Sequence, residues 1–239
     1  MKYVRLNEGL EQLGEKERVG NDELEGQVFS RSGIETIRIP STLKEVKTAT
    51  FFQCKMLKSV EFSEGLEKID EAAFQETAVE NVVLPSTLRT VSQGTFALCK
   101  QLRSVVINEG LEVLGTDTYL NNGELYHGIF DNSGLRSIKL PSTLKRIEYE
   151  AFRYCGDLTE IQLPDGLEVI GRQVFFKCGL QEIRLPRTLR EIGEQALWSA
   201  SLQTVWVDDG CAVDFKDWSK YSTAVVLFYN TRDSVSQSE

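Results

Sequence analysis

A single turn motif recurs along the chain, and its spacing constrains the fold more than any other feature. The motif L-P-S-T-L occupies residues 84–88 and 140–144, and variants of it stand at residues 39–43, 163–167 and 185–189. A related E-G-L motif occurs at residues 8–10, 64–66 and 109–111. The last leucines of successive motifs lie 22, 23 or 33 residues apart. A repeat period in the twenties is typical of a solenoid, in which each coil packs against its neighbours.

Within one repeat, each position has an expected environment. In the unit at residues 158–178, the alternation of a strand points Ile161 and Leu163 inward and leaves Gln162 outside. Pro164 lacks an N–H group and therefore ends the strand where the chain turns. Phe175 and its equivalents fill the interior where the chain turns back. We predict that they stack into an aromatic column, whose other members are Phe29, Phe51, Phe74, Phe96, Phe130 and Phe152.

The spacing series itself repeats, which indicates an internal duplication. Leu10, Leu43, Leu66 and Leu88 each have a counterpart 101 residues later, and the two halves align at that offset without a gap. We predict a solenoid over residues 1–210, built from duplicated four-repeat blocks at about 7–107 and 108–207. Each block carries one insertion, at residues 14–27 and 115–128. The pattern fades after residue 210, so we expect a C-terminal cap at 211–229 and a flexible polar tail at 230–239.

The repeat pattern resembles a known family. Written as L-x-x-I-x-L-P-x-x-L-x-x-I-x-x-x-x-F-x-x-C, it is similar to the BspA-like leucine-rich repeat, also called the Treponema pallidum type. The resemblance and the periodicity together predict a right-handed leucine-rich-repeat solenoid of about nine coils, with a parallel sheet on one face and little regular helix. The resemblance further implies a cell-surface or secreted protein that takes part in adhesion, although the sequence alone leaves the location open.

Charge and composition limit the class of partner. The 239 residues include 27 Lys plus Arg against 36 Asp plus Glu, and the formal net charge is -9. This sign argues against nucleic acid and favours a protein, a glycan or a basic surface, without choosing among them. Among these we predict a protein partner, such as a host or cell-surface protein. No apolar run approaches the roughly 20 residues of a membrane helix, and residues 1–7 lack the apolar segment of a secretion signal. The first residues align with a repeat strand, which predicts an uncapped end open to end-to-end self-association.

Few residues suggest catalysis or metal binding. Cys54, Cys99, Cys155 and Cys178 share one repeat position, three residues after a phenylalanine. A metal site or disulfides are the functional alternatives, but Thr, Ser and Ala take the same position in other repeats, so we predict buried free thiols. His127, the one histidine, is expected to face solvent. We therefore expect no catalytic residue, no metal and no cofactor.

The outward face of the parallel sheet remains as the candidate binding surface. Val83 and Val106 form an apolar spot flanked by Arg38 and Lys139, which is the composition of a protein-binding centre. The alternative is that β-branched residues simply suit a strand surface. Trp206 is expected to stand alone near the C-terminal end. The predicted partner-binding residues are Arg38, Glu61, Val83, Val106, Lys139, Gln162, Arg184 and Trp206. The predicted function is a non-catalytic, adhesin-like recognition module, with an intracellular scaffold or regulatory interaction protein as the alternative.

Overall fold

Short strands and turns make up the fold. The computed structural model describes residues 3–13, 18–19, 23–24, 27–116, 127–213 and 224–229. Its strands, in chain order, are β1 (Tyr3–Arg5), β2 (Gln12–Leu13), β3 (Arg18–Val19), β4 (Glu23–Leu24), β5 (Thr36–Ile39), β6 (Glu45–Val46), β7 (Ser59–Phe62), β8 (Lys68–Ile69), β9 (Asn81–Leu84), β10 (Thr90–Val91), β11 (Ser104–Ile107), β12 (Val113–Leu114), β13 (Ser137–Lys139), β14 (Arg146–Ile147), β15 (Val169–Ile170), β16 (Glu182–Leu185), β17 (Glu191–Ile192), β18 (Thr204–Asp208) and β19 (Val225–Tyr229). The described ranges contain no helix, and hence none that could cross a bilayer.

Parallel strands from successive coils lie side by side and form the first side of the solenoid. They pair in three groups, with the orders β1-β5-β7, β13-β11-β9 and β16-β18-β19. The register is residue to residue, so that Val106 pairs with Val83 on one side and with Lys139 on the other. Strands β7 and β9 also contact each other. Inward residues such as Val82 and Leu84 are buried, while Val83 between them is exposed. This alternation is the one predicted from the repeat.

One predicted strand is wrong. Residues 158–163 form the coil between β13 and β16 but do not adopt strand structure. Ile161 and Leu163 are only partly buried, whereas the equivalent Ile183 and Leu185 in the next coil are buried. A strand here would place Glu160 beside Glu182 across a parallel pair, and like charges in that position are destabilising.

The two-residue strands form a second ladder on another side of each coil. Strands β2, β6, β8 and β10 pair in one parallel group, and β12, β14, β15 and β17 pair in another. Together with the first side they give a solenoid of about eight turns, close to the nine predicted. The predicted leucine-rich-repeat fold is confirmed.

A stack of turns, rather than strands, closes the third side. In one coil, the backbone N–H of Phe51 donates to the oxygen of Ala73 in the next coil at 2.8 Å, and the N–H of Gln53 donates to Gln75 at 2.9 Å. Ala49 and Gln53, two residues before and after Phe51, have positive φ angles of 53° and 57°. The same conformation recurs in other coils, which shows that inter-coil hydrogen bonds and buried phenylalanines hold residues in a sparsely populated backbone region.

The aromatic column is confirmed. From Phe29 to Phe175, neighbouring rings are stacked with centroids 5.0 to 5.8 Å apart and planes within 12° of parallel. Phe62 adds an edge contact to Phe74 at 5.5 Å. Offset stacking of this kind adds to the hydrophobic stabilisation of each ring. The column therefore joins the coils along the interior of the solenoid.

The E-G-L and S-T-L motifs form hydrogen bonds between consecutive coils. The Thr87 hydroxyl accepts from the N–H of Gly65 at 2.9 Å and donates to the oxygen of Leu66 at 2.7 Å. Glu64 accepts from the Ser86 hydroxyl at 2.9 Å. Gly65 has a φ of 113°, and a Cβ there would lie 2.1 Å from a backbone oxygen of the preceding coil. The two motifs are thus complementary halves of one inter-coil contact.

The predicted burial of four thiols is also confirmed. Cys54, Cys99, Cys155 and Cys178 are buried, whereas Cys211 is partly exposed. The Cys99 thiol donates to the oxygen of Phe74 in the preceding coil at 3.1 Å. This position therefore takes a small side chain, and Thr77, Ser133 and Ala200 occupy it in other repeats.

The insertions and the C-terminal residues lie largely outside the described residues. In the first insertion, β3 and β4 pair antiparallel. Residues 14–17, 20–22, 25–26 and 117–126 are outside the description. After the last regular repeat, β19 adds to the first side in parallel with β18. Because residues 214–223 and 230–239 are not described, the cap at 211–229 and the tail at 230–239 stay predictions.

Candidate protein-binding surface

The outward residues of the first side lie in rows across the strands. The structure brings together three of the eight predicted residues, Val83, Val106 and Lys139, in one row. Arg38 and Glu61 are neighbours in a second row. Arg184 and Trp206 are neighbours in a third. Gln162 is exposed, but it lies on the coil without a strand and belongs to none of these rows.

The valine row has an apolar centre. Val83 is 55% exposed, and Val106 is partly exposed. Their chain neighbours Val82 and Val105 are buried, so the backbone that presents the two valines is fixed by the core. Beside this row, the Ser104 hydroxyl donates to the Asn81 side-chain oxygen at 2.6 Å. The result is a small apolar spot on a firmly held part of the sheet.

The charges around this spot are partly compensated. Arg38 Nε lies 3.4 Å from Glu61 Oε1, and both side chains are exposed, so this ion pair contributes little to stability. Lys139 is exposed in the valine row. The Ser142 backbone N–H lowers the pKa of the Glu109 carboxyl, and Lys139 adds to that effect. Lys139 is thus the cation of the valine row and acts on the Glu109 carboxylate, while Arg38 is paired with Glu61.

The prediction that Trp206 stands alone is wrong. Trp206 Nε1 donates to Glu182 Oε2 at 3.0 Å, and the Arg184 guanidinium carbon lies 5.3 Å from the centre of the Trp206 ring. The same guanidinium lies 5.8 Å from the ring of Tyr229. Strand β19 also places Leu227 next to Trp206. Cation–π contacts of this geometry hold Arg184 in place at the C-terminal end of the face.

The repeat pattern does not predict Tyr229 and Leu227 as part of this face, because the pattern fades after residue 210. The signal that could have found them is the apolar run at residues 225–229, which has the β-branched and aromatic composition of a strand. Burial raises the pKa of the Tyr229 hydroxyl, and Asp208 adds to the shift.

The prediction that His127 faces solvent is also wrong. Its side chain is 19% exposed, and its Nδ1 contacts the carboxylate of buried Asp131. Asp131 follows four residues later, directly after Phe130 of the aromatic column, so the turn stack brings the pair together. In the described ranges, no group of three or more His, Cys, Asp or Glu side chains is arranged to hold a metal ion.

Comparison with known proteins identifies a family for the chain. The pattern described as "BspA type Leucine rich repeat region" matches six copies, over residues 22–129 and 123–214. The chain matches no curated protein. Among solved structures, it is similar to a leucine-rich repeat protein from Bacteroides ovatus ATCC 8483, with a TM-score of 0.57 and 22% identity over 82% of this chain and 53% of that one.

The chain thus spans about half the length of the Bacteroides protein, and that likeness concerns the fold alone. The chain is also similar to the T. pallidum leucine-rich repeat protein, with 31% identity over 53% of this chain and 57% of that one, at a TM-score of 0.47. The family pattern matches most of the sequence, and the stacked parallel coils agree with it. The chain belongs to the BspA-type leucine-rich repeat family.

Proposed function

We propose that the outward face of the parallel sheet binds a protein partner, with Val83 and Val106 at the centre of the contact. The observation that carries this proposal is the valine row, in which two exposed apolar side chains and Lys139 lie on neighbouring strands in direct register. Apolar side chains at the centre of a polar surface are typical of interface cores. The repeat fold itself is consistent with a protein-interaction module.

The charges of the face suit a partner with acidic groups near an apolar side chain. Lys139 adjoins Val106, and Arg184 is held by the Trp206 ring farther along the face. Such cations increase the rate of association and select against basic partners. The family resemblance favours an adhesin-like role for this recognition. The alternative role is an intracellular scaffold, which would use the same surface. We assign no catalytic step to the chain.

The test replaces the two valines with aspartate. Val83→Asp with Val106→Asp should leave the fold intact, because both side chains point to solvent. We expect binding to a protein partner to weaken more than tenfold, which corresponds to about 1.4 kcal/mol. A partner captured with the native chain from its own organism would be purified, and its dissociation constant measured against each variant by interferometry.

The matched control is Val28→Asp with Met56→Asp. Val28 and Met56 are also exposed apolar residues, 51% and 48% exposed, but they lie outside the strands of the sheet. This variant should bind normally. Equal loss of binding in both variants would show that added negative charge, not the valine row, is responsible. Normal binding by the valine variant would place the site elsewhere.

A further inference from the structure

A cluster of aromatic and basic side chains lies on the turn side of the second block, away from the outward face of the sheet. Its rings meet edge to face: Phe176 lies 5.7 Å from Tyr154 and 4.8 Å from Trp198, with interplanar angles of 88° and 74°. Phe176 is buried beneath the other two, whereas Tyr154 and Trp198 are 36% and 38% exposed. Arg153 and Lys177 complete the cluster, which we call the aromatic patch (Arg153, Tyr154, Phe176, Lys177 and Trp198).

Two cations lie against these rings. The Arg153 guanidinium carbon is 4.8 Å from the centre of the Tyr154 ring, and Lys177 Nζ is 5.5 Å from the centres of both Tyr154 and Phe176. Arg153 has a carboxylate partner, because its Nη1 lies 2.9 Å from Oε1 of buried Glu150. Lys177 is exposed and has no carboxylate partner within the described ranges. The accessible excess charge of the patch is therefore positive, on a chain whose net charge is -9.

The backbone holds this patch rigidly. The backbone N–H of Tyr154 donates to the backbone oxygen of Phe176 at 2.9 Å, and the backbone N–H of Lys177 donates to the backbone oxygen of Trp198 at 2.8 Å. Tyr154 and Lys177 occupy the same position of the turn stack, with φ angles of 56° and 52°. The backbone that carries these side chains is therefore ordered before binding, which removes the backbone part of the entropy cost.

The duplicated half of the chain shows that the solenoid does not require the patch. At the offset of 101 residues, the counterparts of its members are Phe52, Gln53, Gln75, Glu76 and Ala97. Gln53 Nε2 donates to the Glu76 carboxylate at 3.2 Å, so the first block carries a polar, acidic surface at the same positions. One scaffold thus accommodates both surfaces, and fold stability alone does not account for the aromatic one.

We propose that the aromatic patch is a second recognition site, which binds a segment of a protein partner that carries an apolar side chain next to a carboxylate. Trp, Tyr and Arg are the residue types that dominate protein-binding hot spots, and three of them converge here. The edge-to-face rings form an angled apolar surface that an aliphatic side chain can contact on more than one side, whereas a planar base would stack on only one ring. Lys177 is placed to receive the carboxylate.

Peptide selection on the intact chain tests this assignment. Random short peptides displayed on phage would be selected on the native chain and counter-selected on Tyr154→Gln/Lys177→Glu/Trp198→Ala, which carries the first-block residues at the same positions. We expect the enriched peptides to be acidic with at least one apolar residue. Their affinity, measured by calorimetry, should fall at least tenfold in the triple variant and should weaken as salt is raised.

The matched control alters the equivalent positions of the first block, Gln53→Ala with Glu76→Ala, and should leave peptide binding unchanged. If the triple variant unfolds by circular dichroism, the exposed Lys177→Gln replaces it and should remove the preference for acidic peptides. The assignment is overturned if no peptide distinguishes the native chain from the variant, if the enriched peptides are basic, or if sulfated oligosaccharides bind in a parallel assay while peptides do not.

Discussion

Removal of one ring from the aromatic column is the most direct test of how this solenoid is held together. Phe74 is fully buried and touches three other rings, Phe51 at 5.0 Å, Phe96 at 5.5 Å and Phe62 at 5.5 Å. A Phe→Ala change in a core costs about 3 to 5 kcal/mol through lost transfer free energy and the cavity that remains. Each lost aromatic pair adds to this cost.

The cavity left by Phe74→Ala cannot close easily. Hydrogen bonds fix the coil on both sides, from Phe51 N–H to the oxygen of Ala73 at 2.8 Å and from Phe74 N–H to Thr95 at 3.0 Å. We therefore expect a loss near the upper end of the range, about 4 to 5 kcal/mol in the free energy of unfolding. In a solenoid, this loss falls on the interfaces of one coil with both of its neighbours.

Urea denaturation followed by far-UV circular dichroism would measure this loss. Phe52→Ala is the control, because Phe52 directly follows the column residue Phe51 but is only partly buried and is not a member of the column. Its cost should be clearly smaller. The slope of free energy against urea concentration must stay unchanged for the comparison to hold. A loss below about 1 kcal/mol for Phe74→Ala would refute the view that the column joins the coils, since removal of a well-packed core ring costs about 3 to 5 kcal/mol.

Two further predictions concern the repeat positions next to the column and the motifs. Because Cys54, Cys99, Cys155 and Cys178 are buried, we expect them to react with a disulfide reagent at pH 8 only after unfolding, while partly exposed Cys211 reacts in the folded chain. Burial also raises the pKa of the Cys99 and Cys178 thiols to about 11 and about 12, which lowers their thiolate fraction further. Rapid labelling of all five in the folded protein would contradict this. Thr87→Val should lower the free energy of unfolding by about 1 to 3 kcal/mol, because the N–H of Gly65 and the oxygen of Leu66 both lose their partner. Exposed Thr159→Val is the matched control, and equal melting temperatures of the two variants would argue against the inter-coil role of Thr87.

The residues that repeat could be predicted from the sequence because each coil imposes the same environment at the same position. Strand alternation placed Val82 and Val105 inside and Val83 and Val106 outside, as the structure shows. The phenylalanine position predicted the aromatic column. The recurrence of small residues three positions after the phenylalanine predicted that Cys99 is buried. These predictions needed only the local period and the requirement that an interior position be apolar or internally hydrogen-bonded.

Predictions failed where the outcome depended on contacts between particular side chains that do not recur from one repeat to the next. The strand expected around Gln162 is interrupted, where Glu160 would have stood beside Glu182. His127 pairs with buried Asp131 rather than facing water. Trp206 is enclosed by Arg184 and the residues of β19. In each case the period was read correctly, but the interaction was between residues whose identities do not repeat.

The sequence by itself therefore determined the period, the duplication, the interior of the coil and the direction in which each strand residue points, because these follow from spacing and from burial of apolar side chains. Only the tertiary structure decided which outward residues become neighbours. It joins Tyr154, Phe176 and Trp198 into one surface, although each lies 22 residues from the next along the chain. The physical reason is that stacking coils about 5 Å apart converts a separation of one repeat into direct contact, so the recognition surfaces depend on pairs that no single repeat contains.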